Sequence, residues 1–505
     1  MAELQRASAF ALVPEVTVGE IVSPTLGSQF VPLREGFAQS STLEEITNDE
    51  LVNDIGASKS LTGLESPEGS HPAYLKHSEV EGQAPEVAIL YKSAFGDQVD
   101  NATEYNTVAG STAGTSAARA VVNVDAGEGA QFNIGQALLI KDGTNGYAVR
   151  NVHSIATDAL SLNFNLDNAP GVGVNLGKAN LFRPVATGHP SFSAWLYGAN
   201  GGYKQAIAGC RTSDITMTLP AGAQAELAFS YQGIETYFNP VEVTASTSYI
   251  DFEDDGGVKS VQLDVGIFKT PIAFAAHAQS KLAATSVDVI TVVYNNQTGK
   301  YLFTSDGTTF ELQWNTGANT ANSAATLFGD TTAADRTGAT TYTSTNEIDL
   351  STPVSPTFDE ATNIVVKGAQ FFIGDFYENI CREASEVSIT IGTPQEAVLS
   401  ICSSTGVSER LINAREVTVS ATMVLQRYES SLFDKFVNNK DAVIMINAGG
   451  KDSGGNWEPG KVVNIYIPQS TITQHETGGD TIVEVTLSAK GYISSNRKDV
   501  YLNFV

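Results

Sequence analysis

At 505 residues the chain has room for three or four domains of about 100–200 residues each. Its 45 Gly, 4 Met and 17% charged residues, with abundant Thr, Ser and Val, argue against helical bundles and for many short strands, a mainly β fold. The 29 Lys and Arg against 56 Asp and Glu give a net charge of −27, which opposes a standing attachment to nucleic acid phosphates or anionic lipid.

Along the chain, the N-terminal MAELQRASAFALVPEVTVGE has no basic run followed by an apolar stretch, and no later window approaches a membrane span, so neither export nor anchoring is expected. Residues 1–104 read as an arm-and-loop region punctuated by Pro14, Pro24, Pro32, Gly56, Gly63, Pro67, Gly69 and Pro72, with one helical stretch near Leu43–Ile55. Residues 105–187 read as a small inserted β domain after a small-residue linker. In it, Asn145-Gly146 between two apolar runs is a strong hairpin signal. Strands return over 188–246: Asp214–Leu219 alternates strictly, and Ala225, Leu227, Phe229 and Tyr231 line one face of the next run.

Residues 247–350 read as an inserted α+β domain. It has a strand pair (Tyr249–Phe252, Val258–Val265), a helix at Pro271–Ala284, and further strands separated by Asn296-Gln297-Thr298-Gly299 and Asp306-Gly307 turns. The last unit, 351–505, offers strands at Glu386–Ile391, Ala397–Ser403, Glu416–Leu425, Asp441–Asn447, Lys461–Gln469 and Thr481–Ala489. Its one helix, Ser430–Asn439, is expected to turn Leu432, Phe433, Phe436 and Val437 inward. In two of the strands alternation sets a polar face of Glu416, Thr418, Ser420 and Thr422, and of Glu484, Thr486, Ser488 and Lys490, against an apolar one.

The order EVTVSATMVL, SSLFDKFVNN, DAVIMINAGG, GKVVNIYIPQSTIT and DTIVEVTLSAKGYI resembles the tail tube proteins of long-tailed bacteriophages. Upstream, VPEVTVGEI, LREGFAQSSTLEEITNDEL and GCRTSDITMTLPAGAQAELAFSYQGIETYF are similar to that family's opening and first core strands. The resemblance implies β-sandwich or barrel domains, each with a short flanking helix, that line a central channel in stacked rings, with DNA passing down the lumen. It implies a virion (tail) protein made in the host cytoplasm. Its partners would be itself, in trimeric or hexameric rings, and other tail proteins such as terminator, tape measure and baseplate or tip. Passage of DNA would be transient and non-specific. Two tube-like halves, 190–245 against 380–430, suggest an internal duplication, and the double-domain members imply three subunits per ring. The residues expected to face the lumen are Glu416, Thr418, Ser420, Thr422, Glu484, Thr486 and Ser488. An acidic lining suits a conduit for a polyanion, since Lys and Arg contacts would add friction at every ring.

No catalytic constellation emerges, so no enzyme and no cofactor are expected. His71, His77, His153, His189, His277 and His475 stand far apart, and no nucleophile-elbow, P-loop or zinc-hydrolase pattern exists. Asp251, Glu253 and Asp255 before Gly256 resemble a calcium loop, but Gln262 holds the twelfth place, so an acidic hairpin turn is preferred and no metal is expected. Gly171, Gly173 and Gly177 have the wrong spacing for a dinucleotide loop. Cys210, Cys381 and Cys402 form no pair at metal spacing, and Cys210 and Cys402 are expected buried on strands. The rival readings are a β-rich virion surface, decoration or adhesion protein, and a polysaccharide-degrading tail enzyme, for which only 3 Trp are available.

Overall fold

The computed structural model describes residues 8–49, 59–358, 361–426, 429–479, 481–494 and 496–505. Strands take 47% of the chain and helix 10%, so the protein is mainly β. Eight strands make a continuous antiparallel wall. In chain order they are β1 (Ala38–Ile46), β2 (Leu61–Tyr74), β3 (Lys204–Pro220), β4 (Glu226–Gln232), β5 (Ala384–Gly392), β6 (Glu416–Val424), β7 (Trp457–Gly478) and β8 (Glu484–Gly491). Their spatial order is β1-β2-β4-β3-β5-β6-β8-β7.

That order is one four-strand pattern used twice. In each half the first two strands are neighbours and the fourth lies between the second and the third. In both, a register shift falls at the same place, between Thr212 and Asp214 in β3 and between Ile472 and Gln474 in β7. Strands β5 and β6 therefore take the places of β1 and β2, and β7 and β8 those of β3 and β4. The correspondence thus runs differently from the 190–245 against 380–430 read from sequence. Each half also has a helix, α1 (Ala88–Phe95) and α3 (Glu429–Val437), against its long third strand, with α2 (Pro271–Ala283) lying between them in sequence.

The N-terminal parts of β3 and β7 leave the wall for an outer layer. Lys204–Cys210 pairs with Phe192–Tyr197, which pairs with Ala9–Pro14; Trp457–Thr471 pairs with Asp441–Lys451, which pairs with Gln370–Gly374. The apolar wall face, this layer and both helices share one core that includes Tyr91, Ile215, Phe229, Ile389, Val419, Leu487 and Leu432.

Local chemistry explains the elements that sequence reading missed. The stretch Leu43–Ile46, read as helical, ends strand β1 because β2 lies across it, and residues 50–55 fall outside the described residues. Strand β2 contains Pro67 and Pro72, each just past the end of a flanking strand: β4 last pairs at Glu68, and β1 at Ser70. The Gly233 N–H donates to the Pro67 carbonyl at 2.9 Å, so Pro67 points past the end of β4, and by alternation Pro72 points past the end of β1. Neither missing N–H costs a ladder bond. Helix α3 buries Leu432 and half-buries Phe436, but Phe433 and Val437 are 51% and 60% exposed, contrary to expectation.

Residues 105–176 form a six-stranded sheet with its own core around Leu138, Val152 and Leu160; its turn at Asn145-Gly146 joins Ala137–Asp142 to Gly146–Ala156. The sheet leaves the body through the paired strands Gly96–Asn101 and Ala179–Pro184, the latter pairing also with the C-terminal Tyr501–Phe504. Residues 241–350 pack around Phe274, Tyr301, Trp314 and Phe328.

Candidate channel-lining face

Strict alternation in β6 buries Val417, Val419, Ala421 and Met423 and turns Glu416, Thr418, Ser420 and Thr422 to the opposite face. Val485, Leu487 and Ala489 of β8 are buried in the same way, leaving Glu484, Thr486 and Ser488 on that opposite face. Pairing sets Ser420 opposite Ser488, Thr422 opposite Thr486 and Thr418 opposite Lys490, and places Glu484 opposite Val424. All seven residues singled out from sequence thus lie on one polar face of two neighbouring strands.

The face extends much further than those seven. Across β5, Ser388 pairs with Ser420, Thr390 with Thr418 and Glu386 with Thr422. Across β3, Thr218 pairs with Ser388 and Thr216 with Thr390, with the two threonine hydroxyl oxygens 3.4 Å apart. Asp214 of β3, Glu226 and Ser230 of β4, and Glu68 and Ser70 of β2 continue it into the first half. Asp214–Leu219 was legible as a strand, but only the β3–β5 pairing reveals that its Thr216 and Thr218 share a face with Thr418 and Ser420.

The face is a lattice of hydroxyls dotted with carboxylates. Its cations Arg34 and Lys490 are already neutralised. Arg34 meets Glu226 at 2.6 Å and stacks on Tyr74 at 4.4 Å, and the Glu226 hydrogen bond raises its pKa. Lys490 pairs with Glu416. Burial raises the Asp214 carboxyl above its ordinary value, with the Thr216 hydroxyl at 3.1 Å opposing it.

The acidic loop of the second insert does not gather its carboxylates. Tyr249–Asp254 and Gly257–Gln262 form a hairpin, and the three carboxylates look to separate donors. Asp251 accepts from the Asn319 N–H at 2.6 Å, Glu253 from Gln313 at 3.3 Å, and Asp255 from the Thr309 N–H at 2.6 Å. Among the described residues no three metal-ligating side chains converge. Asp251 is buried there, and so is its neighbour on the same strand, Asp254. Burial works against the charge of Asp254, but Lys259 at 2.7 Å, Ser286 and the Val287 and Gly256 N–H groups outweigh this and lower its pKa to about 2. Cys210 is buried as expected. Cys402 is exposed, because its strand ends at Leu399.

An antiparallel wall with helices on its apolar side and a broad hydroxyl-and-carboxylate face on the other defines a mainly β structural protein. The phage tail tube protein family matches residues 5–275, more than half of the chain, and the chain belongs to that family. Membership makes it a structural subunit of the virion tail that assembles with itself and with other tail proteins; the family is not one of enzymes. No curated protein matches the chain.

Proposed function

We propose that this chain is the repeating unit of a tail tube whose copies close edge to edge into rings. The polar wall face lines the lumen, the rings stack, and DNA passes through during ejection. The observation that carries this reading is the shared polar face of β2 to β8, with rows such as Ser488, Ser420, Ser388 and Thr218 presenting hydroxyls and carboxylates and holding Arg34 and Lys490 in ion pairs. Such a surface repels phosphate mildly and, among the described residues, offers no free cation to grip it. Chains made in the host cytoplasm would join terminator, tape measure and baseplate or tip proteins at the ends and along the axis of the tube.

The repeated four-strand pattern supports two tube-like units, 1–104 with 188–246, and 351–505, carrying 105–187 and 247–350 as insertions. Three copies of eight strands, at about 4.8 Å per strand and a tilt of about 40°, close at a backbone diameter of roughly 50 Å, leaving roughly 40 Å between side chains. Two copies would leave roughly 20 Å, with no clearance for a duplex. Trimeric rings follow.

The test is to place cations on the face. Thr418→Lys with Ser388→Lys is expected to leave tubes intact by electron microscopy while slowing DNA ejection from reconstituted virions, most at low salt. Lost assembly would move these residues to an interface, and intact tubes with unchanged ejection would take them off the lumen. Particles that stay monomeric in the parent protein would overturn the tube itself.

A further inference from the structure

The wall has two open edges, and the chain already contains the joint that would seal them. Inside the molecule, the third strand of the first half meets the first strand of the second: Asp214 pairs with Gly392, Thr216 with Thr390, Thr218 with Ser388 and Pro220 with Glu386. At the outer edges stand the same two kinds of strand without that partner. The third strand of the second half, β7, pairs with β8 on one side, and its other neighbour, Asp441–Lys451, stops at Thr471. The first strand of the first half, β1, pairs among the described residues with β2 alone.

The repeat fixes which residues correspond. Opposite equivalent residues of β4 and β8, the matched shifts place Gln474 where β3 has Asp214, Glu476 where it has Thr216, and Gly478 where it has Thr218. On the other side, Ala38 pairs with Ser70 as Ser388 pairs with Ser420, so Ser40 stands for Thr390 and Thr42 for Gly392.

We infer that the internal joint is the template for the joint between copies: residues 474–478 of one chain pair antiparallel with residues 38–42 of the next, with Glu476 opposite Ser40, Gln474 opposite Thr42 and Gly478 opposite Ala38. This deepens the tube reading and rests on it, the partner being a second copy of this chain.

Three observations favour that occupant. The two edges are complementary in the way the filled joint is, third strand to first strand, so one rule closes a head-to-tail ring with no new geometry. Leu43 is 59% exposed at the open edge, whereas Thr393, its counterpart in the filled joint, is completely buried, so the outer position lacks the cover its twin has. Each edge also carries a core-side polar atom without a hydrogen-bond partner among the described residues, Gln39 Oε1 on β1 and His475 Nε2 on β7. The inferred register sets Gln39 and His475 diagonally across the seam, within reach of long side chains.

Cysteine cross-linking of the full chain tests the register. In a Cys381→Ser, Cys402→Ser background, Thr216→Cys with Thr390→Cys is the internal control and should oxidise to a bridge within one chain, because those side chains already meet. Ser40→Cys with Glu476→Cys should instead give bridges between chains, with covalent trimers as the largest closed species on denaturing gels. Thr42→Cys with Glu476→Cys, two residues out of register, should cross-link at least tenfold less. Tubes in which the shifted pair links as well or better, or in which neither pair links, overturn the inferred register and leave the tube reading standing. Parent protein that forms no rings, with no cross-link between chains, overturns both.

Discussion

At the scale of single residues, β2 shows how tightly the apolar face of the wall is specified. Gly69 faces Tyr231 on the neighbouring strand, and a Cβ there would run into the phenol ring, so the glycine is required by close approach. Two residues on, His71 is fully buried between Phe10, stacked at 5.1 Å, and Phe37, and neither ring nitrogen has a hydrogen-bond partner among the described residues. Burial lowers its pKa to about 4. Because the folded-state value lies below the unfolded one, the stability tied to neutral His71 is fully present above pH 6.5 and is lost as pH falls through about 4. The gap corresponds to about 3 kcal/mol. His71→Phe should remove this part of the acid sensitivity, since a cavity beside His71, lined by Leu33, Ala73 and Val87, can take the larger ring. Denaturant melts between pH 7 and 4 should fall less steeply for the variant than for the parent. Equal slopes would sink the assignment. His153, lowered to about 3 by burial with Arg119 and Arg497, would still contribute in both proteins.

At the scale of elements, a buried amide network fastens the first insert to the second half. Asn464 of β7 accepts from Asn151 at 2.6 Å and Asn503 at 3.1 Å, and donates to Asn447 at 2.7 Å and Asn151 at 3.0 Å; Asn447, Asn464 and Asn503 are cross-strand neighbours. Asn464→Leu keeps the branched shape but takes a hydrogen-bond partner from each of three buried amides and the donor to Asn447 Oδ1, at a cost of about 3 kcal/mol or more. Limited proteolysis of the full chain should then cut within 105–176 earlier than in the parent; an unchanged cleavage pattern would mean that the apolar contacts of Leu139, Trp457 and Val462 hold the insert unaided. What the sequence made legible follows the same division between local and distant causes. Alternation announced β3, β5, β6 and β8, and the Asn145-Gly146 turn announced a hairpin, because those signals are local. The Thr270 side chain caps α2 by accepting from the Ala273 N–H at 3.1 Å, with Pro271 following it, and this helix was legible too. Strand β2 was hidden by Pro67 and Pro72, whose harmlessness depends on where β1 and β4 end. Strand β7 was expected to stop at Gln469, since Pro468 and the polar QSTITQHETG after it resemble a loop; it runs to Gly478 because β8 pairs along it. Half of the polar face stayed unread for a similar reason. That Thr216 and Thr390 are neighbours depends on a pairing between strands more than 160 residues apart.

At the scale of the whole molecule, the two halves of the wall are near-equivalent while the rest of the chain is not. The four-strand pattern recurs with its helix and its register shift, yet the loop between helix and third strand holds the six-stranded insert in the first half only, and residues 247–350 follow β4 without a counterpart after β8. A ring of three copies would therefore present six similar wall segments to the lumen and three sets of inserts elsewhere. With a net charge of −27 per chain, bringing copies together is opposed by repulsion that salt screens, the Debye length falling from about 30 Å at 0.01 M to about 3 Å at 1 M. Rings should accordingly form at lower protein concentration as salt rises. In projections dominated by the wall they should look six-fold, and in reconstructions that resolve the inserts they should prove three-fold. Six sets of inserts to a ring, in place of three, would double the strand number and widen the channel well beyond what a single duplex needs. That count would refute closure by three chains even if the edge-to-edge joint were right.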